Sequence, residues 1–96
     1  MDSDESLLLQ FQTGSHAALE EIFARYRDGV YGFFRRRLKD ASRAEDLTQE
    51  TFLAVINGIA RYEPRASVRA YLYGIAFRML FAEIRKQKNN RLSAGI

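Results

Sequence analysis

Between His16 and Lys39, apolar side chains return every three or four residues: Leu19, Ile22, Phe23, Tyr26, Val30, Phe33 and Phe34. That spacing stacks them on one face of an α-helix and does not fit the two-residue alternation of a half-buried strand. Ser15 is placed to cap the helix start. Glu20 and Glu21 sit near that start, and Arg35, Arg36, Arg37 and Lys39 near the end, as the helix dipole favours. Gly29 and Gly32 leave room for a neighbouring helix to pack closely. A long one-faced helix must be covered, and the rest of the chain supplies only further helical patterns.

A short helix is expected over Glu5–Gln12, capped by Asp2, Ser3 or Asp4 and ended by Gly14. Its Leu7, Leu8, Leu9 and Phe11 read as core. After a turn at Asp40-Ala41, Ser42-Arg43-Ala44-Glu45 matches the capping box and opens a third helix, to about Ala60. Ala44, Leu47, Thr48, Thr51, Phe52, Val55, Ile56 and Ile59 fall on its inner half. Glu45, Asp46, Gln49, Glu50 and Asn57 fall on the outer half, with Leu53 in their midst. Pro64 interrupts the pattern. Ser67 then caps a fourth helix, Val68 to about Lys88, whose Val68, Leu72, Ile75, Ala76 and Met79 share one face. The tail from Asn89 to Ile96 reads as a linker or frayed end. The fold class is all-α, a compact bundle of about four helices.

With 96 residues and no cysteine, the bundle must hold by packing alone, without disulfides or thiolate metal sites. The acidic start has no secretory-signal pattern. The most apolar run, Tyr71–Ile84, is too short to cross a bilayer. A cytoplasmic protein is expected. No catalytic constellation, metal cluster or glycine-rich phosphate loop is present, so neither an enzyme nor a cofactor is expected. The single histidine, His16, has no evident partner.

Charge divides the chain. Residues 1–50 carry seven Lys/Arg and ten Asp/Glu, net −3. Residues 51–96 carry eight and two, net +6. An acidic half joined to a basic half suits two kinds of partner, the basic half a polyanion. The outer face of the third helix has two open readings: solvated surface, or a small docking patch centred on Leu53. In the basic half, Tyr62, Tyr71, Tyr73, Phe77 and Phe81 interleave with Arg61, Arg65, Arg69, Arg78, Arg85, Lys86 and Lys88. Tyr71, Gly74, Arg78, Phe81 and Arg85 form one stripe. Cations that track phosphates beside rings that stack on bases are the chemistry of single-strand binding, although some of these rings must serve the core.

Two long stretches carry a family likeness. Ala44-Glu45-Asp46-Leu47-Thr48-Gln49-Glu50-Thr51-Phe52 resembles the region 2 motif of bacterial sigma-70-family factors. Tyr62-Glu63-Pro64-Arg65-Ala66-Ser67-Val68-Arg69-Ala70-Tyr71-Leu72-Tyr73-Gly74-Ile75-Ala76 resembles the segment that follows it in the extracytoplasmic-function subgroup. His16–Tyr26 is similar to the subgroup's opening helix, and the likeness spans about residues 7–88.

The resemblance implies a transcription initiation domain at 1–88 that docks on the β′ clamp helices of core RNA polymerase through Glu45, Asp46, Gln49, Glu50 and Leu53. It also implies recognition and melting of the −10 promoter element. The non-template strand would be held by Arg61, Tyr62, Arg65, Ser67, Arg69, Tyr71, Arg78, Arg85 and Lys86, with a flipped base in the Tyr62–Ser67 loop. An anti-sigma factor is an expected partner, and a membrane is not. Gly74, Arg78 and Tyr71 depart from the residues common in the family (arginine, asparagine and tryptophan), so base preference does not transfer. The resemblance further implies that this chain is the N-terminal half of a longer factor, with 89–96 starting the interdomain linker and the −35-reading domain absent. The alternative is a helical protein-interaction module with no DNA role.

Overall fold

The computed structural model describes the backbone from Asp2 to Ala94 and the side chains as far as Arg91. Four helices follow one another: α1 (Asp4–Gln12), α2 (His16–Arg37), α3 (Ala41–Gly58) and α4 (Val68–Ala94), with a 3-10 turn at Ile59–Arg61 after α3. Among the described residues there is no strand.

Local chemistry sets each boundary. Ser3 caps α1 by accepting from the Ser6 N–H at 3.1 Å, and Ser15 caps α2 by accepting from Ala18 at 3.2 Å. Between them Gly14, at φ +111°, adopts the left-handed conformation that glycine tolerates best. Its N–H reaches the Phe11 carbonyl, while that of Ser15 reaches Gln10, and this pair of bonds closes α1.

Two boundaries differ from expectation. Asp40 caps α3: its carboxylate accepts from Ser42 and Arg43, so the helix begins at Ala41 and the Ser42 capping box is not used. Asp40 is extended and reaches two N–H groups at once, satisfying more of the open helix end than a hydroxyl two residues on. α4 also runs past Lys88 to Ala94, because Asn89 and Asn90 are only modestly poor helix formers and no proline or glycine intervenes. Gly95 and Ile96, the end of the expected linker, lie outside the described residues.

The core lies where the apolar stripes meet. Leu8, Ile22, Val30, Phe34, Val55, Val68 and Leu72 are fully buried. Phe23 and Phe52 pack edge to face, with centroids 4.8 Å apart, and join α2 to α3. Thr48 and Thr51 are buried but return their hydroxyls to the carbonyls four residues back, at 2.8 Å each. At Gly29 an added Cβ would lie 2.6 Å from the Tyr73 hydroxyl, so this glycine admits α4 as expected. Gly32 instead faces Arg36 of its own helix. Asp4 ties α1 to α2 through Arg25, at 2.8 Å, and the Tyr26 hydroxyl. Burial opposes ionisation of Asp4, but those two donors outweigh it and hold its pKa low. No helix is long and apolar enough to cross a membrane among the described residues.

Candidate functional site

The outer face of α3 carries Glu45, Asp46, Gln49, Glu50 and Leu53, all exposed, while Ala44, Leu47, Thr48, Thr51, Phe52 and Val55 on the opposite side are buried. The helical period sorts the two sets as expected, with one exception. Ile56, expected in the core, is 40% exposed. It lies at the edge of the apolar arc and faces α2 across an open hollow.

That edge forms a groove. Leu19, Glu20 and Phe23 of α2 face Gln49, Phe52, Leu53 and Ile56 of α3 across a hollow of about 390 Å³. Leu53 stands on its rim with 54% of its surface in water. A second hollow, about 350 Å³, continues the line past Phe23 to Arg27, Tyr31, Glu45 and Gln49. The motif face is therefore one wall of an apolar groove with carboxylates along its rim. Leu19, Phe23 and Ile56 belong to it although the sequence reading treated them as core. Their position on the boundary of the buried arc was the available signal.

The second face follows α3. The chain from Tyr62 to Ser67 crosses from the 3-10 turn to α4, and both ends are pinned. Gln12 of α1 donates to the Ile59 and Tyr62 carbonyls at 2.9 Å each. Ser67 accepts from Ala70 at 3.0 Å, so its hydroxyl caps α4, as expected. Gly58, Arg61, Tyr62, Glu63, Arg65 and Tyr71 line a hollow of about 390 Å³ under this loop. Arg65 and Glu63 pair at 2.6 Å on its exposed side. Tyr62 lies inside, 7% exposed, with its ring 5.1 Å from that of Tyr71. Its hydroxyl is buried with no hydrogen-bond partner among the described residues. Burial pushes the pKa of both phenols up. The Tyr62 ring thus forms a floor for the hollow and has no free face in solvent.

The cations of α4 do not all converge. Tyr71, Arg78 and Arg85 recur at seven-residue steps and share a stripe, and Arg78 and Arg85 are exposed. Arg69 lies nine positions before Arg78, half a turn round, with its guanidinium 5.1 Å above the Tyr73 ring. Lys86 is exposed but about 80° away from Arg78 around the helix. Phe77 and Phe81 are 46% and 56% exposed, with rings 5.5 Å apart, and Phe77 also leans on Phe33 of α2. Ile84, 44% exposed, extends this apolar strip. Tyr73 packs against Phe33 and is one of the rings that serve the bundle.

One buried charge was missed. Glu83 is 6% exposed and receives the Arg43 guanidinium of α3 at 2.8 Å and the Gln87 amide at 2.9 Å. The Arg43 bond holds its pKa below the ordinary glutamate value. A carboxylate four residues after Met79 and seven after Ala76, in phase with the buried face, was the signal that could have found it.

The fold and its surfaces define a helical module with an acidic, grooved α3 face and a basic, aromatic α4 face. The sigma-70 region 2 family matches residues 22–90. The chain is 38% identical to the RNA polymerase sigma factor CarQ of Myxococcus xanthus over 80 residues, 83% of this chain and 46% of that protein. It is 38% identical to the ECF RNA polymerase sigma factor SigC of Mycobacterium tuberculosis, again over 83% of this chain and 43% of that protein. It is 30% identical to the ECF factor SigW of Bacillus subtilis, over 82% of this chain and 42% of that protein. This chain belongs to the sigma-70 family, in the extracytoplasmic-function group, through its region 2. It spans less than half the length of each of these three relatives.

Proposed function

We propose that this domain recruits core RNA polymerase through the α3 face and opens the −10 promoter element through the α4 face, acting as a non-enzymatic specificity module in the cytoplasm. The observation that carries this reading is the placement of two surfaces of opposite character on one rigid bundle. Gln49 and Leu53 line the apolar groove, Glu45 lines the hollow that continues it, and Asp46 and Glu50 stand on the adjoining exposed face of α3, together a surface suited to the β′ clamp helices. Arg78 and Arg85 form a cationic stripe beside Tyr71. The hollow between Arg61, Arg65 and Tyr71 is of a size to receive one unstacked base, and captures it by stacking and edge hydrogen bonds. Arg78, Arg85 and Tyr71 hold the non-template strand, with Arg61 and Arg65 at its flipped base. Ser67 acts through the cap of α4, and Arg69 and Lys86 contribute charge from the flanks. Residues 1–88 form the working domain and 89–96 lead toward a second one.

The strip Phe77–Phe81–Ile84 favours a further protein partner, since exposed rings and an isoleucine among cations fit an apolar, acidic surface. An anti-sigma factor is that partner. A protein-interaction module with no DNA role would use the same strip and leave the Arg78–Arg85 stripe idle.

Retention of core polymerase by the immobilised domain tests the reading. Wild type is expected to retain core, and Asp46→Lys with Glu50→Lys to lose it. Equal retention by both places the dock elsewhere.

A further inference from the structure

The segment that leads from α3 into α4 has little to hold it from within. Its backbone bonds are local: the Tyr62 N–H donates to the Ile59 carbonyl at 3.1 Å, and that of Arg65 to the Glu63 carbonyl at 2.8 Å. Pro64 has no N–H to give. Among the described residues, every side-chain hydrogen bond that reaches Ile59–Val68 from a distant part of the chain comes from α1. The Gln12 amide donates to the Ile59 and Tyr62 carbonyls at 2.9 Å each, which uses both of its hydrogens. Glu5, near the other end of the helix, accepts from the Val68 N–H at 3.4 Å. That N–H is one of the open donors at the start of α4, where the helix dipole favours a carboxylate. Glu5 and Gln12 stand seven residues apart, two turns and about 10 Å along α1, so they share a face. Leu8 lies between them on that face and is fully buried. The helix is itself braced on α2, where Asp4 meets Arg25 at 2.8 Å. α1 thus grips the chain on either side of residues 63–67.

We infer that Gln12 and Glu5 are positioning residues for the base-receiving hollow, and that α1 sets the Tyr62–Ser67 loop in its receiving shape before a strand arrives. The inference rests on the proposed function. Base capture must offset the cost of unstacking, and a loop that also had to order itself would bind more weakly by that ordering. A loop held at both ends has already lost that freedom in the free chain. Neither residue lines the hollow. Gln12 acts through Tyr62, whose carbonyl it holds and whose ring rests 5.1 Å from that of Tyr71. Glu5 acts through Val68, the first residue of α4. Arg78 and Arg85 stand farther along α4 and do not depend on this grip. Its loss therefore lowers the preference for a strand that has a base to insert, and leaves the electrostatic attachment unchanged.

The test compares a labelled, short A/T-rich single strand with copies that each lack one base, the abasic site being moved along the strand. The readout at each position is the ratio of affinities, intact over abasic. Both strands meet the same folded fraction, so the ratio does not follow stability. Thermal melts accompany every variant. In wild type one position is expected to give a ratio of about tenfold or more, within the range of a stacked base. Gln12→Met keeps the length and the helix propensity but has no N–H to give. It is expected to cut that ratio about fivefold, the effect of an ordinary hydrogen bond, while affinity for the abasic strand stays within about twofold of wild type. Glu5→Met is expected to act in the same direction and less, its bond being longer. Gln12→Lys restores a donor of similar reach and is expected to recover most of the ratio, its added charge acting equally on both strands. A ratio that is unchanged in Gln12→Met, or that Gln12→Lys does not recover, overturns the positioning role and leaves the proposed function standing. A Gln12→Met chain that melts below the titration temperature makes Gln12 a residue of the fold and overturns the role equally. Wild type that binds no strand, or shows no base-dependent position, overturns base capture by the hollow and the inference with it.

Discussion

A leucine that keeps 54% of its surface in water, as Leu53 does, gives folding little. Leu53→Ala is expected to shift unfolding free energy by less than about 0.5 kcal/mol. Phe34→Ala, at a fully buried ring, costs about 3–5 kcal/mol. Urea unfolding of the two variants measures both. Under the proposed function the same Leu53→Ala is expected to weaken retention of core polymerase, so that stability and docking separate at this residue. Glu83 makes a different case, since its charge is part of the fold. Its native pKa is depressed by Arg43, so its stabilising contribution is fully present above the ordinary glutamate value, near 4. It is lost as pH falls through the lower native value. Wild type is thus expected to lose stability more steeply than Glu83→Gln on acidification below pH ~4, as thermal melts across that range would register. Periodicity separated Leu47, Thr51, Phe52 and Val55 from Glu45, Asp46, Gln49 and Leu53, because both sets lie well inside their arcs. It placed Ile56 wrongly because an arc has edges, and which edge is covered depends on how closely α2 packs on α3 there. The inward turn of Tyr62 was equally hidden, since a loop ring has no helical phase to read.

Helix ends are decided by which side chain reaches most open N–H groups. At the start of α3, Asp40 takes two, so Asp40→Ala is expected to cost about 1 kcal/mol, while Ser42→Ala stays within about 0.5 kcal/mol. Paired chemical denaturation curves distinguish them. The capping-box pattern at Ser42 and Glu45 was a fair local signal, but two cap residues stood two positions apart and their order of preference depended on the Asp40 backbone. Ser15 and Ser67 had no such rival, and each caps where the sequence placed it, while Ser3 is the one of three candidates, Asp2, Ser3 and Asp4, that caps α1. Inside α4, Gly74 has open space where a Cβ would stand. Gly74→Ala is expected to stabilise the domain by about 0.5–1 kcal/mol, the helix-interior penalty of glycine, and thermal melting measures it. The length of α4 beyond Lys88 was not legible because polar tails and solvated helix turns share one composition.

At the scale of the molecule, four sequential helices place the acidic half of the chain in α1, α2 and the start of α3, and most of the basic half in α4. The charge division was visible in the sequence, as was its assignment to α3 and α4. What the sequence did not reveal is that the cations of α4 split between two sides, because Arg69 spends its charge over Tyr73. The Arg43–Glu83 pair was equally hidden, since the forty residues between them acquire a distance only in the folded chain. The strand binding proposed for the Arg78–Arg85 stripe would be electrostatic in origin, so its affinity is expected to fall as salt rises, by about 0.7 log units per tenfold change in salt for each phosphate engaged. Titration of a labelled single strand at several salt concentrations would read out that slope. The most direct measurement of the division of labour is the strand affinity of three forms of the free domain at low salt: wild type, Asp46→Lys with Glu50→Lys, and Arg78→Ala with Arg85→Ala. The α4 variant is expected to bind at least about tenfold more weakly, and the α3 variant no more weakly than wild type. Equal binding by wild type and the α4 variant would contradict the assignment of the strand to α4.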